Sequence, residues 1–157
     1  MKIYLKKARL SDSHFIFKLK SSKEVRKISI NKKKIKYKSH IGWFKKKLKE
    51  KKSLFFIICE KKSGINLGYV RLDYENFYFR VTIAIVKNKT GLSFAYQALK
   101  EVERKINFNS ILFAQVVKSN IRSTKLFKKS NYKEVGFNKD LKFFVKFINK
   151  RSFSKKW

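Results

Sequence analysis

Between Leu54 and Val86 the chain offers three successive segments of strand character joined by short turns, and no other feature narrows its fold so far. Leu54 to Cys59 is an unbroken apolar run of strand length, as expected of a strand buried on both faces. Lys61-Lys62-Ser63-Gly64 supplies the turn into Ile65 to Asp73, and a second turn around Glu75-Asn76 leads to Phe77 to Val86. In that last segment Val81, Ile83 and Ile85 take one face while Thr82, Ala84 and Val86 take the other. Three antiparallel strands are predicted.

The flanking segments add helices and further strands. Ile3 and Leu5 alternate with charged or polar neighbours, as in a half-buried first strand, and Ser11 offers an N-cap to a helix carrying Phe15, Ile16 and Leu19. Past an irregular lysine-rich stretch, Ser39 is predicted to cap a second helix whose Ile41, Phe44 and Leu48 share one face, with Trp43 beside that stripe. Gly91 breaks the strand pattern, and Ala95, Ala98, Leu99 and Val102 recur at helical spacing, with Glu101 and Lys105 four apart on the outer side. Ile111 to Val117 reads as a strand, Asn120 as the N-cap of a helix through Leu126 and Phe127, and Tyr132 to Phe137 with Leu141 to Ile148 as a closing antiparallel pair. The order is β-α-α-β-β-β-α-β-α-β-β, an α+β domain over residues 1–149 followed by a basic tail at 150–157.

Charge sets the class of surface. The chain carries 42 basic against 10 acidic residues, a formal net charge of +32, yet 43% of it is hydrophobic, enough for a core. Only 7 of the basic residues are arginine, the better reader of bases and phosphates, and the lysines spread from Lys2 to Lys156 instead of collecting in a block. That distribution reads as a solvated background set by composition, with nucleic acid the less favoured partner. The run Asn31 to Lys38 is a local cluster suited to an anionic substrate. Cys59 stands alone, which excludes an internal disulfide framework and a cysteine-rich zinc site, and no metal is expected. No apolar run approaches the roughly 20 residues of a bilayer span, so the expected location is the cytoplasm, with no membrane partner.

The chemistry-bearing junction is Ile83 to Ala95, a strand passing through Lys87-Asn88-Lys89-Thr90-Gly91-Leu92-Ser93 into a helix. A helix N-terminus presents unpaired N–H groups and about half a positive charge, suited to a pyrophosphate that small residues such as Gly91, Ser93 and Ala95 allow to approach. With the later segment Asn120-Ile121-Arg122-Ser123-Thr124-Lys125-Leu126-Phe127, the order resembles the GNAT superfamily of acetyl-CoA-dependent N-acetyltransferases. The family's Asn-x-x-Ser-x-x-Leu-Phe pattern is matched at Asn120, Ser123, Leu126 and Phe127; its Gln/Arg-x-x-Gly-x-Gly/Ala pattern falls on Thr90, Ser93 and Ala95, so that only the last position conforms. Upstream, His40-Ile41-Gly42-Trp43-Phe44, Phe55 to Ile58 and Leu67 to Asp73 resemble the branch that acetylates nucleotide-linked amino sugars, as in the pseudaminic acid pathway.

The resemblance implies a mixed, mostly antiparallel sheet of six to seven strands with helices on both faces and strands 4 and 5 splayed. It implies acetyl-CoA held by Ile83, Ile85, Val86, Thr90, Gly91, Leu92, Ser93, Phe94, Ala95, Asn120, Ser123 and Phe127. The acceptor amine, on an anionic nucleotide sugar, would meet His40, Trp43 and Arg71. Candidate bases are Asp73, Glu75 and His40, whose ordinary pKa near 6.5 suits either direction of transfer. Arg71 has an alternative role as a partner of Asp73 on the same strand face. The thiolate acid of many relatives is a Tyr where this chain has Phe127, which leaves Tyr132 as a substitute. A ribosomal-protein or peptide N-acetyltransferase, and a non-catalytic CoA- or nucleic-acid-binding relic, are the alternatives.

Overall fold

The computed structural model describes residues 2–91 and 93–149. Leu92 and the predicted tail 150–157 lie outside them. Seven strands form one sheet: β1 (Ile3–Lys7), β2 (Leu54–Glu60), β3 (Asn66–Glu75), β4 (Tyr78–Ile85), β5 (Ser110–Val117), β6 (Lys133–Phe137) and β7 (Leu141–Ile148), in the order β1-β2-β3-β4-β5-β7-β6. The helices are α1 (Ser13–Ser21), α2 (Lys23–Lys27), α3 (Tyr37–Lys49), α4 (Phe94–Arg104) and α5 (Ile121–Lys129). The predicted pair of closing strands forms, but β7 inserts between β5 and β6.

Every neighbouring pair is antiparallel except β4 with β5, which run parallel and pair only over Tyr78–Arg80 against Ile111–Phe113. Beyond Arg80 the two strands part. From Val81 to Ile85, β4 is held through β3 alone, in a register running from Leu72↔Val81 to Gly68↔Ile85. The α+β architecture with the fourth and fifth strands splayed is therefore as expected.

Period-two alternation divides the core. On one face Leu72, Phe79, Val81, Leu112 and Phe144 pack with Leu99 and Val102 of α4 and Phe127 of α5; on the other Phe55, Ile57, Cys59 and Tyr69 pack with Ile16 of α1 and Phe44 of α3. β2 is buried on both faces, as its apolar run requires. The close approach at Gly68 is backbone to backbone, since a Cβ there would lie 2.1 Å from the carbonyl oxygen of Ala84.

Three local expectations are corrected. Ser11 does not cap α1; it lies in a single 3-10 turn, Leu10–Asp12, where the buried Asp12 accepts from the Arg9 backbone N–H and pairs with Lys6 at 2.9 Å. Ser39 does not cap α3 either, because the helix begins two residues earlier at Tyr37, whose hydroxyl lies 3.0 Å from Ser13 Oγ. A tertiary contact thus anchors a helix start that has no side-chain cap of its own. Glu101 pairs with Arg104 at 2.6 Å instead of reaching Lys105, and the lysine-rich stretch contains the short α2, capped by Ser22.

Candidate active site

The fork between β4 and β5 opens toward the N-terminus of α4. Ile83, Ile85 and Val86 lie along its unpaired edge, and Val86 is anchored on the β3 side through its N–H to the Leu67 carbonyl at 2.8 Å. The chain then makes a 3-10 turn at Lys87–Lys89, passes through Thr90, and takes a left-handed conformation at Gly91 (φ 86°) and again at Ser93 (φ 63°) before α4 starts at Phe94. A Cβ on Gly91 would meet nothing within 4 Å, so glycine is needed there for its φ. The turn leaves the first N–H groups of α4 facing out of the helix, with Ser93 as the cap residue and Phe94 buried beneath.

A residue the sequence reading left without a role ties this loop to α5. Arg122 Nη1 donates to Thr90 Oγ1 at 2.9 Å, and the Thr90 hydroxyl itself donates to the Lys87 carbonyl. Asn120 caps α5 by accepting from the Ser123 N–H at 3.1 Å, which gives both residues a local task in setting that helix. The loop therefore lies between the first turns of α4 and α5 with half-buried Lys89 and exposed Arg122 beside it. Backbone donors, a helix N-terminus and two nearby cations fit a pyrophosphate.

Phe127 packs on Phe144, which pairs with Ala114 just past the last β4–β5 pair. It is buried between Tyr132 and Phe144, at ring distances of 5.0 and 5.9 Å. Tyr132 is buried too, and its hydroxyl donates to Glu103 Oε1 at 3.0 Å, while Lys146 pairs with Glu103 Oε2 at 2.7 Å. Burial, then the charge and hydrogen bond of Glu103, push the Tyr132 phenol well above its ordinary pKa. Glu103 is nine residues along α4 from Phe94, roughly 14 Å at helical rise. This geometry holds the Tyr132 proton in a buried clamp at the far end of α4, so the chain offers no tyrosine acid in the place where Phe127 stands.

On the face carrying α1 and α3, β3 presents Arg71 and Asp73 beside the fork, opposite Thr82 and Arg80 of β4. Asp73 is buried, accepts from Arg71 Nε at 2.8 Å and forms an ion pair with Lys47 Nζ of α3 at 3.0 Å. The alternative role suggested for Arg71, partner of Asp73, is realised. Arg71 also lies over Trp43 (5.0 Å) and Phe55 (5.6 Å), and Lys20 of α1 stands 3.6 Å above the same Trp43 ring. Burial first, then the positive charges of Arg71 and Lys47, lower the Lys20 ammonium to about 8.

The candidate bases are all engaged. Glu75 accepts from Tyr78 Oη and Arg80 Nη2, each at 2.7 Å, at the closed end of the β4–β5 pairing. His40 is 1% exposed, with Nε2 3.0 Å from the Ser13 carbonyl and its ring stacked on Phe44. Burial, aided by Lys20, lowers its pKa, so it is a neutral imidazole that donates from Nε2 and joins α3 to α1. The structure brings together Trp43, Arg71 and Asp73 and adds Lys20, Lys47 and Arg80; it places His40 behind them in the core and Glu75 at the far end of the fork. Lys20 had no signal in a sequence where lysine is everywhere.

Residues 2–133 match the family model of the acetyltransferase (GNAT) domain. The chain belongs to this family. It is an acyltransferase of the N-acetyltransferase type. Its fold is similar to a domain from Methanocaldococcus jannaschii (TM-score 0.81, 18% identity, 94% of this chain and 99% of that one). It is also similar to spermidine N-acetyltransferase from Vibrio cholerae in complex with CoA and spermine (TM-score 0.78, 15% identity, 92% and 95%). A third is yncA from Salmonella typhimurium with its cofactor acetyl-CoA (TM-score 0.76, 13% identity, 97% of each chain). No curated protein sequence matches this one. Among the described residues no helix is long and apolar enough to cross a membrane, and no group of His, Cys, Asp and Glu is placed to hold a metal ion.

Proposed function

We propose that this GNAT domain transfers acetyl from acetyl-CoA to the primary amine of an acceptor that also carries negative charge, a nucleotide-linked amino sugar being the acceptor class that fits best. The observation that carries the reading is the fork itself: a strand edge left unpaired from Val81 to Ile85 that runs straight into left-handed Gly91 and Ser93 at the start of α4. Acetyl-CoA, when bound, supplies an acetyl group activated as a thioester. The backbone edge of β4 and the N–H groups at the start of α4 would hold it, with Lys89 and Arg122 near its phosphates.

The chain's own contribution is positioning. Asp73 and Glu75 are each neutralised by cations and His40 is buried, so none of these three candidates stands ready to remove the ammonium proton of an acceptor. The acceptor must then react as its free amine, with the protein supplying alignment, a contribution that reaches several kcal/mol. Lys20, Lys47, Arg71 and Arg80 surround only Asp73, Glu50 and Glu75, which supports an anionic acceptor and opposes a polyamine or a basic peptide terminus.

Calorimetric titration with acetyl-CoA tests the first half of the proposal, and absence of binding at millimolar ligand would overturn it. Thiol release on a panel of UDP-linked amino sugars, spermidine and basic N-terminal peptides tests the second. Turnover of spermidine or of the peptides, with none on the sugars, would overturn the acceptor class while leaving the acetyltransferase intact.

A further inference from the structure

The face of the sheet that α1 and α3 cover is the face on which the open half of β4 presents Thr82, Ala84 and Val86. There α1 rests on both β3 and β4, its Ile16 and Leu19 in the same apolar cluster as Ala84 and Val86. The residue after Leu19 is Lys20. Its ammonium lies 3.6 Å from the centre of the Trp43 ring, over which the Arg71 guanidinium also lies at 5.0 Å. Arg71 is paired across the sheet with Thr82, so the strand that carries it is one spacing, about 4.8 Å, from the open half of β4. An amine thus stands on the acceptor side of the fork before any acceptor has entered.

Its surroundings separate this lysine from the rest. Lys47, the other lysine of the cluster, is bound by Glu50 at 2.9 Å and by Asp73 at 3.0 Å, whereas Lys20 has no carboxylate ion pair among the described residues. The charged and titratable groups facing it are Arg71 and Asp73 of β3 and Lys47 and His40 of α3, so the cations outnumber the one carboxylate. Burial first, then Arg71, bring its ammonium to about 8, which at pH 7 leaves roughly 300-fold more free amine than an ordinary lysine at 10.5 has. A lysine desolvated beside another cation is an activated nucleophile. We infer that Lys20 is itself an acetyl acceptor, modified in cis by acetyl-CoA held in the fork of the same chain.

The Nζ lone pair attacks the thioester carbonyl carbon, the carbon–sulfur bond breaks, and the proton that the nitrogen sheds leaves with the CoA thiolate as a thiol. No side chain has to remove a proton beforehand, which suits a site whose three candidate bases are all engaged. The flexible four-carbon stem lets Nζ leave the Trp43 ring for the edge of β4 while α1 stays packed. The product is a neutral amide. It removes one cation from over Trp43 and leaves Arg71 there, so a modified molecule holds an anionic acceptor less well.

The inference rests on acetyl-CoA occupying the fork, and calorimetry with acetyl-CoA keeps the two apart. The full chain is incubated with acetyl-CoA at about pH 8 and followed by intact mass and by peptide mapping, with exposed Lys18 and Lys23 as internal references. The expected result is one acetyl group at Lys20, added at least ~10-fold faster than at Lys18 or Lys23, with a rate that saturates in acetyl-CoA and is independent of protein concentration. Lys20→Arg, which keeps a cation over Trp43, removes the fast phase and leaves the slow modification of the two references. Calorimetric binding of acetyl-CoA with Lys20 modified no faster than its exposed neighbours overturns the inference and leaves the acetyltransferase reading standing. So does a rate that climbs with protein concentration, which would make the modification the act of one chain on another. Absence of acetyl-CoA binding overturns both readings together.

Discussion

Arg71 Nε donates to the Asp73 carboxylate at 2.8 Å, and because the two residues lie two apart on β3 they share the sheet face that borders the fork. The pair borders the fork, and its chemistry is that of an anchor. Asp73 takes a second cation, Lys47, from the facing helix, so the carboxylate fastens α3 to the sheet and keeps Arg71 over Trp43.

Asp73→Asn should therefore cost stability more than chemistry. Removing the charge leaves two largely buried cations around an amide, a loss of roughly 3 kcal/mol. The KM for acceptor rises as Arg71 loses its alignment, while kcat changes by less than about tenfold and its pH profile keeps its shape. A pH–rate profile on purified variant checks this, and loss of the acidic limb from the wild-type profile would instead make Asp73 the base.

Tyr132→Phe separates the phenol from the reaction in the same way. The buried hydroxyl serves Glu103, which retains Lys146 at 2.7 Å, so the variant should lose about 1 kcal/mol in urea unfolding and keep kcat within twofold or so. A drop of a hundredfold in kcat without a change in folding would return Tyr132 to the proton path.

How far the sequence reads into this molecule follows from which interactions are local. The β2 to β4 meander and the Asn120 cap are legible because period-two burial and an N-cap bond involve residues a few positions apart. The start of α3 is not, since Tyr37 is fixed by Ser13 across 24 positions and His40 by the same segment. Among site residues, the Arg71–Asp73 pair was readable from strand spacing. Lys47 on Asp73 and Lys20 on Trp43 depend on how α1 and α3 lie over the sheet, and nothing in their neighbours announces it. Phe127 occupies the expected motif position, but the packing of α5 on β7 turns its ring into the core.

Gly68→Ala tests whether the fork depends on the closeness of β3 and β4. The new Cβ would begin 2.1 Å from the Ala84 carbonyl oxygen, and backbone must move to admit it. The expected cost is about 3 kcal/mol, and because the open half of β4 is held only through β3, acetyl-CoA affinity falls as well. Thermal unfolding with and without acetyl-CoA measures both; an unchanged ligand-induced shift would uncouple the strand spacing from the cofactor site.

Gly91→Val addresses the loop without a clash. Space for the side chain is open, so the loss comes from holding a β-branched residue at φ 86°, about 1–2 kcal/mol. Acetyl-CoA affinity should fall about tenfold or more as the loop relaxes away from the start of α4, and calorimetry reads it directly. Equal affinity in the variant would mean that the left-handed turn plays no part in binding.

Lys20 gives the site a pH dependence of its own. Its ammonium is lowered to about 8 by burial and by the neighbouring Arg71 and Lys47, against an ordinary value of 10.5 in the unfolded chain. Below about pH 8 both states are protonated and the folded state bears the full penalty of a half-buried charge. Between about 8 and 10.5 the unfolded chain binds the extra proton, so stability contributed by this group rises with pH through that window. Lys20→Met keeps the packing on Trp43 and removes the penalty. It should raise the Tm at pH 7, flatten the rise in stability between pH 8 and 10, and weaken an anionic acceptor relative to a neutral one. Urea titrations at stepped pH check the first two effects. A variant less stable than wild type at pH 7, with the slope retained, would show that the contact with Trp43 outweighs the charge.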